Sequence, residues 1–128
     1  MAFYQEDWLM RQILSMTEAI ARVIFGKTDA DYVEDGEFVQ TDELHSRLLK
    51  LLDERRINEA ENLLYEQADP DDIACLLVAT DFYSRLGRMK DAELEESDFS
   101  LEEVQSGLED FAGRYGVLFF QDDPAAPG

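Results

Sequence analysis

Apolar side chains recur every three or four residues through most of the chain, and this spacing constrains the fold more than any other feature. In the first segment Leu9, Ile13, Met16 and Ile20 follow it. Because a helix turns once in about 3.6 residues, this spacing places them on one face of a helix. No segment alternates apolar and polar residues between hairpin turns, as a strand would. The sequence therefore predicts an all-α protein with five or six helices.

Start and stop signals divide this pattern into separate helices. The predicted helices cover residues 4–26, 41–55, 57–68, 70–86, 89–96 and 101–115. Thr41 and Asp69 have side chains typical of N-caps, and Pro70 suits a first helical position. Ser100 and Glu103 form a capping box. Because apolar residues surround the fourth helix on all sides, we expect it to lie at the centre of the fold.

A short sequence repeat occurs twice in the middle of the chain. The segments Arg56–Glu61 and Arg88–Glu93 match at an offset of 32 residues, and each opens a helix with alanine at the same position. Small residues at such positions let paired helices approach closely, as in tetratricopeptide repeats. Since only two copies are visible, the sequence predicts a helical-hairpin bundle with tetratricopeptide-like pairing. A chance match between helices rich in alanine and glutamate is the alternative.

Length and composition indicate one domain. The chain has 128 residues, of which 45% are hydrophobic, and this is enough for a single core of ordinary size. We therefore predict one helical domain over residues 1–120. Residues 121–128, which include two Asp and two Pro, are predicted to form a disordered acidic tail.

The chain is strongly acidic. It holds 30 Asp and Glu against 11 Lys and Arg, for a formal net charge of −19. Such a charge repels nucleic-acid backbones and anionic membranes, so we expect neither as a partner. The acids concentrate in residues 28–46, with seven acids and no base, and in residues 91–128, with eleven acids and one base. These runs are either a solubilising surface or a decoy face that occupies the nucleic-acid site of a basic protein.

The sequence also predicts a cytoplasmic location. Its uncharged stretches are far shorter than the roughly 20 residues of a membrane-spanning helix. Glu6 and Asp7 stand where a signal peptide has basic residues. The single cysteine, Cys75, has no second cysteine in the sequence with which to form a disulfide, and this favours a reducing compartment.

Several segments resemble a family of small acidic bacterial proteins of unknown function, found mainly in Gram-positive anaerobes. The resembling segments are Asp7–Ile13, Phe25–Lys27, Ile57–Leu64, Asp98–Ser100 and Arg114–Gly116, which together span most of residues 4–116. The resemblance implies an all-helical protein that stands alone. It implies no activity, and therefore no functional residues.

Few residues suggest catalysis or metal binding. Cys75 lies in an apolar run and is expected to be a buried, inert thiol. Asp42 and His45 have the spacing of a di-metal ligand pair, which only a symmetric dimer could complete. The segment from Asp31 resembles a calcium loop, but Val33 stands where an oxygen ligand is required, so a flexible acidic loop is the simpler expectation. We expect no enzyme activity, metal or cofactor, and a pair of carboxylates in an apolar cleft stays an open alternative.

The leading hypothesis is a protein-interaction module. Two apolar stripes run along the first helix and together are wider than one helix contact normally buries. The apolar run 117–120 must also be buried against the core or against a partner. We therefore expect a protein partner or a homodimer. The predicted interaction face consists of Trp8, Leu9, Ile13, Met16 and Ile20. The alternative is that these residues belong to the core of the chain itself.

Most of the basic residues lie in the middle of the sequence. The seven are Arg47, Lys50, Arg55, Arg56, Arg85, Arg88 and Lys90. We expect them to neutralise helix C-termini and to pair with neighbouring acids. Binding of an acidic peptide is the functional alternative.

Overall fold

Six helices make up the part of the chain that the structure describes. The structure is a computed structural model. It describes residues 2–119, except for the side chains of residues 2–7 and 91. The predicted tail, residues 121–128, lies outside this range. The helices are α1 (Ala2–Phe25), α2 (Val39–Asp53), α3 (Ile57–Gln67), α4 (Ile73–Gly87), α5 (Asp91–Glu96) and α6 (Leu101–Gly113). Residues 2–119 contain no strand, which confirms the all-α class. None of these helices is long and apolar enough to cross a bilayer.

Helix α4 lies at the centre of the bundle, as its sequence predicts. α1, α2 and α6 all pack against it, α1 also packs against α6, and α3 packs against α2. A helix with neighbours on three sides needs apolar residues around its circumference, and the run Ala74–Ala79 supplies them. Phe82 and Tyr83 are buried next to each other and meet edge to face, with ring centroids 5.1 Å apart.

Helix α2 begins earlier than predicted. Its first residue is Val39, and Phe38 occupies the N-cap position. The prediction that Thr41 is the N-cap is therefore wrong. Thr41 is buried, because it lies at helical spacing from Leu44 and Leu48 on the stripe of α2 that faces the core.

Helix α4 begins later than predicted. Asp72 caps it by accepting a hydrogen bond from the Ala74 N–H at 3.0 Å. The carboxylate of Asp69 instead accepts from the Asp71 N–H at 2.9 Å, which closes a turn before the helix. The prediction that Asp69 and Pro70 start this helix is therefore wrong, because a competing Asp lies closer to the apolar run.

Helix α6 begins where predicted. The Ser100 hydroxyl oxygen accepts from the Glu103 N–H at 3.2 Å, as predicted. The Glu103 carboxylate accepts from the Ser100 hydroxyl at 3.3 Å instead of from the Ser100 backbone N–H, so only one half of the predicted capping box forms. Phe99 and Val104, on either side of this cap, are both buried in the core, as a hydrophobic staple requires.

The two copies of the short repeat have different surroundings. α2 and α3 pack as a hairpin in which Ala60 is fully buried, as the small-residue argument requires. In the second copy Ala92 is exposed and α5 has only six residues. One copy of the repeat therefore lies in a helical hairpin of the bundle, and tetratricopeptide-like pairing stays a prediction.

The apolar segment after α6 is covered in part. Val117 and Phe119 are partly buried against the core, whereas Leu118 is 74% exposed. Phe120 lies outside the described residues. Two of the four residues in this run therefore contribute to the core of the chain.

Gly107 lets α6 approach its neighbours closely. A Cβ atom at this position would lie 2.9 Å from both Cε1 and the hydroxyl of Tyr83, and it would also collide with the Glu61 carboxylate. The Tyr83 hydroxyl donates a hydrogen bond of 2.7 Å to Glu61, so neither group is free to move aside. Glycine costs a helix interior roughly 1 kcal/mol relative to alanine, and this close approach explains why glycine is present.

We predict that Gly107→Ala destabilises the protein by about 1–3 kcal/mol, because overpacking outweighs the gain in helix propensity. Urea unfolding followed by circular dichroism measures the change. Gly113→Ala is the matched control, since a Cβ atom there meets nothing within 4 Å, and it should leave stability unchanged or slightly raised. If Gly107→Ala is as stable as the wild type, the close approach does not require glycine.

Candidate functional site

The structure divides the predicted interaction face on α1 into a buried part and an exposed part. Leu9, Ile13, Met16 and Ile20 are all buried in the core of the single chain. Trp8 is 57% exposed. The predicted face is corrected accordingly: a partner can reach Trp8, but α4 and α6 pack against α1 and leave its other four residues inside the core.

The opposite side of α1 faces solvent and carries Trp8. This outer face of α1 consists of Trp8, Arg11, Ser15, Ala19, Arg22 and Val23, all of which are exposed. Helical spacing places these residues within about one third of the helix circumference. Two small residues, Ser15 and Ala19, lie between Trp8 and Val23, and Val23 is 82% exposed. Large apolar side chains that flank small ones form a surface on which another helix can dock.

A buried polar network surrounds His45, the only histidine in the sequence. His45 lies on α2 and is 3% exposed. Its Nε2 atom lies 2.7 Å from a carboxylate oxygen of Asp81 on α4, and its Nδ1 atom lies 2.9 Å from Glu34 in the strap, the loop of residues 26–38. The Ser46 hydroxyl donates to the other oxygen of Glu34. Since a neutral imidazole has one donor nitrogen, both carboxylate contacts are hydrogen bonds only when His45 is protonated.

Asp81 is the buried anion of this network. It is 1% exposed and lies inside the otherwise apolar α4. Besides the bond to His45, it accepts hydrogen bonds from Arg85 Nε at 2.8 Å and from the Tyr32 backbone N–H at 3.2 Å. A buried carboxylate is tolerated only when it is paired and hydrogen-bonded in this way.

The strap is fastened to α2 by further contacts around Asp42. The Tyr32 hydroxyl donates to one oxygen of Asp42 at 2.6 Å, and the Gly36 N–H donates to the other at 2.9 Å. The Tyr32 ring lies against the His45 ring, with centroids 4.9 Å apart. These contacts hold the strap against α2, whereas the sequence suggested a flexible acidic loop. Both carboxylate oxygens of Asp42 accept hydrogen bonds from the strap.

The charges of the network shift the titration of its members. Burial alone lowers the pKa of His45, but the hydrogen bonds and charges of Asp81 and Glu34 outweigh it, so the pKa is raised. Burial raises the pKa of Asp81, but hydrogen bonds from His45 and Arg85 outweigh it, so the pKa is lowered. Hydrogen bonds from Ser46 and His45 lower the pKa of Glu34. The folded chain therefore favours a protonated His45 between two ionised carboxylates.

The contacts of His45 join three elements of the fold: α2, the strap and α4. Both ring nitrogens of His45 contact carboxylates, and the Ser46 hydroxyl donates to one of those carboxylates, Glu34. Burial raises the pKa of the Cys75 thiol and keeps it protonated and unreactive. Among the described residues, no group of three or more His, Cys, Asp or Glu side chains could hold a metal ion.

Sequence reasoning missed Glu34, Asp81 and Tyr32 as partners of His45. One signal was present, because Asp81 is the only acid in the apolar sequence of α4, and a buried acid needs a partner that donates or carries positive charge. No spacing identifies Glu34 among the seven acids of residues 28–46.

A groove with a volume of about 530 Å³ runs between α2 and α3. It is lined by Arg47, Lys50, Leu51, Glu54, Arg56, Glu59, Asn62, Leu63 and Glu66. Three of the seven basic residues singled out in the sequence therefore meet at one surface. Two others, Arg55 and Arg85, pair with acids, at 2.6 Å to Glu93 and 2.8 Å to Asp81.

Comparison with known proteins identifies a family whose function is not known. A family model described as "Family of unknown function (DUF6483)" matches residues 3–116. Because this match covers most of the sequence, the chain belongs to that family. No curated protein and no solved structure matches the chain.

The His45 network predicts how stability depends on pH. The folded state holds the pKa of His45 above its unfolded value of roughly 6.5. Protonation of His45 therefore stabilises the fold fully below that pH, and this stabilisation is lost as the pH rises through the raised folded pKa. The lowered pKa values of Asp81 and Glu34 make stability depend on pH in the opposite direction. Their contribution is present above roughly pH 4 and is lost as the pH falls through the folded values.

Urea unfolding of the wild type and of His45→Gln across this pH range tests the prediction. We expect His45→Gln to cost about 3 kcal/mol near pH 6, since it removes one of the two cations that pair with the buried Asp81 carboxylate. The difference between the two proteins should shrink as the pH rises above the folded pKa of His45. Glu37→Gln, which changes another exposed acid of the strap, is the matched control and should keep the wild-type pH profile. Parallel profiles for wild type and His45→Gln would contradict a protonated His45.

Proposed function

We propose that this member of the DUF6483 family is a non-enzymatic protein-interaction module, which associates with a second copy of itself through the outer face of α1. The observation that carries the proposal is the 57% exposure of Trp8 on a helix whose other large apolar residues are mostly covered by the core. Tryptophan is enriched among the residues that contribute most to protein–protein binding. Its exposure in the single chain leaves a large apolar area for a partner to bury.

The distribution of charge favours α1 as the place where two copies meet. Each copy has a formal net charge of −19, so two copies repel each other least where neither presents excess acid. Residues 1–27 contain three acids and three bases, and the whole excess lies in the remainder of the sequence. The outer face of α1 itself carries Arg11 and Arg22 as its only charged residues, with Glu18 at its edge.

The spacing of residues on the outer face suits an antiparallel helix pair. Ser15 and Ala19 are small, so two helix axes can approach to about 8–10 Å at this point. A two-fold axis near the middle of α1 would then bring Trp8 of one copy opposite Val23 of the other. Such an isologous contact buries the same surface on both copies, as most homodimers do.

Sedimentation equilibrium at micromolar concentrations tests this proposal. We expect a monomer–dimer equilibrium that shifts towards dimer as salt is added, because salt screens the repulsion between two acidic chains. Trp8→Ala should weaken association by about tenfold or more. It should change folding stability by less than about 0.5 kcal/mol, because Trp8 is exposed. Leu118→Ser is the matched control: it removes an apolar side chain that is 74% exposed outside α1 and should leave association unchanged.

Fluorescence gives an independent measurement, since Trp8 is the only tryptophan in the sequence. Its emission should shift to shorter wavelength as the protein concentration rises and the indole leaves water. A monomer at every concentration and salt, or a dimer that Trp8→Ala leaves intact, would contradict self-association through α1. Association with a basic protein that weakens as salt is added would instead favour the acidic decoy.

A further inference from the structure

Three large apolar residues of the strap and of the first turn of α2 are exposed to solvent. Val33, Phe38 and Val39 each expose more than half of their surface. They fall within seven residues of sequence, in contrast to Trp8 and Leu118, which lie far apart along the chain. Exposed apolar side chains that are grouped in this way mark an interaction site, whereas single ones are ordinary on a protein surface.

A hollow with a volume of about 350 Å³ lies between the strap and α2. Its lining includes Val39, the acids Glu34, Asp42 and Glu43, and one base, Arg47. The volume falls within the range of ligand sites in proteins, about 300–1,000 Å³. The strap surface, by which we mean residues 33–39 and this hollow, therefore combines apolar and acidic groups.

The charge of this part of the chain is strongly negative. Residues 28–46 contain seven acids and no Lys or Arg. Even with the flanking Lys27 and Arg47 and a protonated His45, three cations stand against these seven acids. Among the described residues, the one ion pair that any of the seven forms is that of Glu34 with His45. The exposed acids of the strap surface are therefore available to cations from outside.

The backbone of the strap surface is already held in place. Glu34 contacts His45 at 2.9 Å, and the Gly36 N–H donates to Asp42 at 2.9 Å. Binding a partner costs less free energy when the surface that receives it is ordered beforehand. The strap surface therefore presents its exposed side chains on a fixed support.

We propose that the strap surface binds a basic, amphipathic segment of a partner protein, whose apolar side chains cover Phe38 and Val39 and whose cationic side chains pair with acids such as Glu43. Charge complementarity selects this occupant, because a second copy of a chain with a formal net charge of −19 is repelled here. The apolar residues distinguish such a site from an acidic decoy, which needs charge alone. The site is separate from the outer face of α1.

Fluorescence anisotropy with labelled synthetic peptides tests the proposal. The probe is a peptide of leucine and lysine. One matched peptide has glutamine in place of every lysine, and another keeps every lysine but has serine in place of every leucine. We expect saturable binding of the leucine–lysine peptide to the wild type, and about tenfold weaker binding of each matched peptide.

Variants of the chain locate the binding site. The double variant Phe38→Ser with Val39→Ala should bind the leucine–lysine peptide about tenfold more weakly than the wild type. It should remain folded by circular dichroism, because both positions are exposed and serine suits the N-cap position that Phe38 occupies. Glu43→Gln should weaken binding about threefold.

Three control variants lie outside the strap surface. Leu118→Ser removes an exposed apolar side chain, and Glu102→Gln removes an exposed acid of α6. Trp8→Ala changes the outer face of α1. All three should bind the leucine–lysine peptide as the wild type does, and normal binding by Trp8→Ala keeps this test independent of self-association through α1.

The proposal is overturned if binding is not saturable, or if the double variant binds like the wild type. It is also overturned if the serine–lysine peptide binds as tightly as the leucine–lysine peptide, since charge alone would then account for binding. Sedimentation equilibrium of the double variant should match that of the wild type. Loss of dimer in the double variant would show that a second copy covers the strap surface, which would contradict a basic occupant.

Discussion

A carboxylate buried in the central helix constrains how the other elements are placed. Asp81 is 1% exposed on α4, and a charge in that position costs several kcal/mol unless partners surround it. His45 brings α2 to this carboxylate, and the backbone of Tyr32 brings the strap. The position of α2 and of the strap against α4 is therefore fixed by charge as well as by apolar packing, and the two effects reinforce each other.

The same constraint bears on function. His45 and Asp81 are the groups best suited to proton transfer. They contact each other and join α2 to α4, and His45 also contacts Glu34 in the strap. Tyr83 and Glu61 are likewise bound to each other beneath Gly107. The proposed function rests instead on an exposed surface, the outer face of α1, which carries Trp8 and Val23.

Local patterns allowed much of the fold to be predicted, because spacing and capping act within a few residues. The cap at Ser100 and the central position of α4 are of this kind. The start of α4 is different, because Asp69, Asp71 and Asp72 are all capping residues by type. Only Asp72 is placed to accept from the first turn of the helix, and the choice depends on where tertiary packing holds that helix.

The candidate sites could be predicted less well, for two physical reasons. Apolar spacing shows that Leu9 and Ile13 share a face of α1, but it does not show whether that face meets the same chain or another one. α4 and α6 cover that face, so Trp8 is the only one of the five predicted interaction residues that remains exposed. The partners of His45 lie 11 and 36 residues away in sequence, and no local pattern encodes contacts of that range.

Amide chemical shifts recorded at increasing protein concentration test most directly the claim that this chain acts through its surface. We predict concentration-dependent shifts along α1 from Trp8 to Val23, with the resonances of His45 and the strap unchanged. Spectra that do not depend on concentration, or shifts centred on the His45 network, would contradict the account.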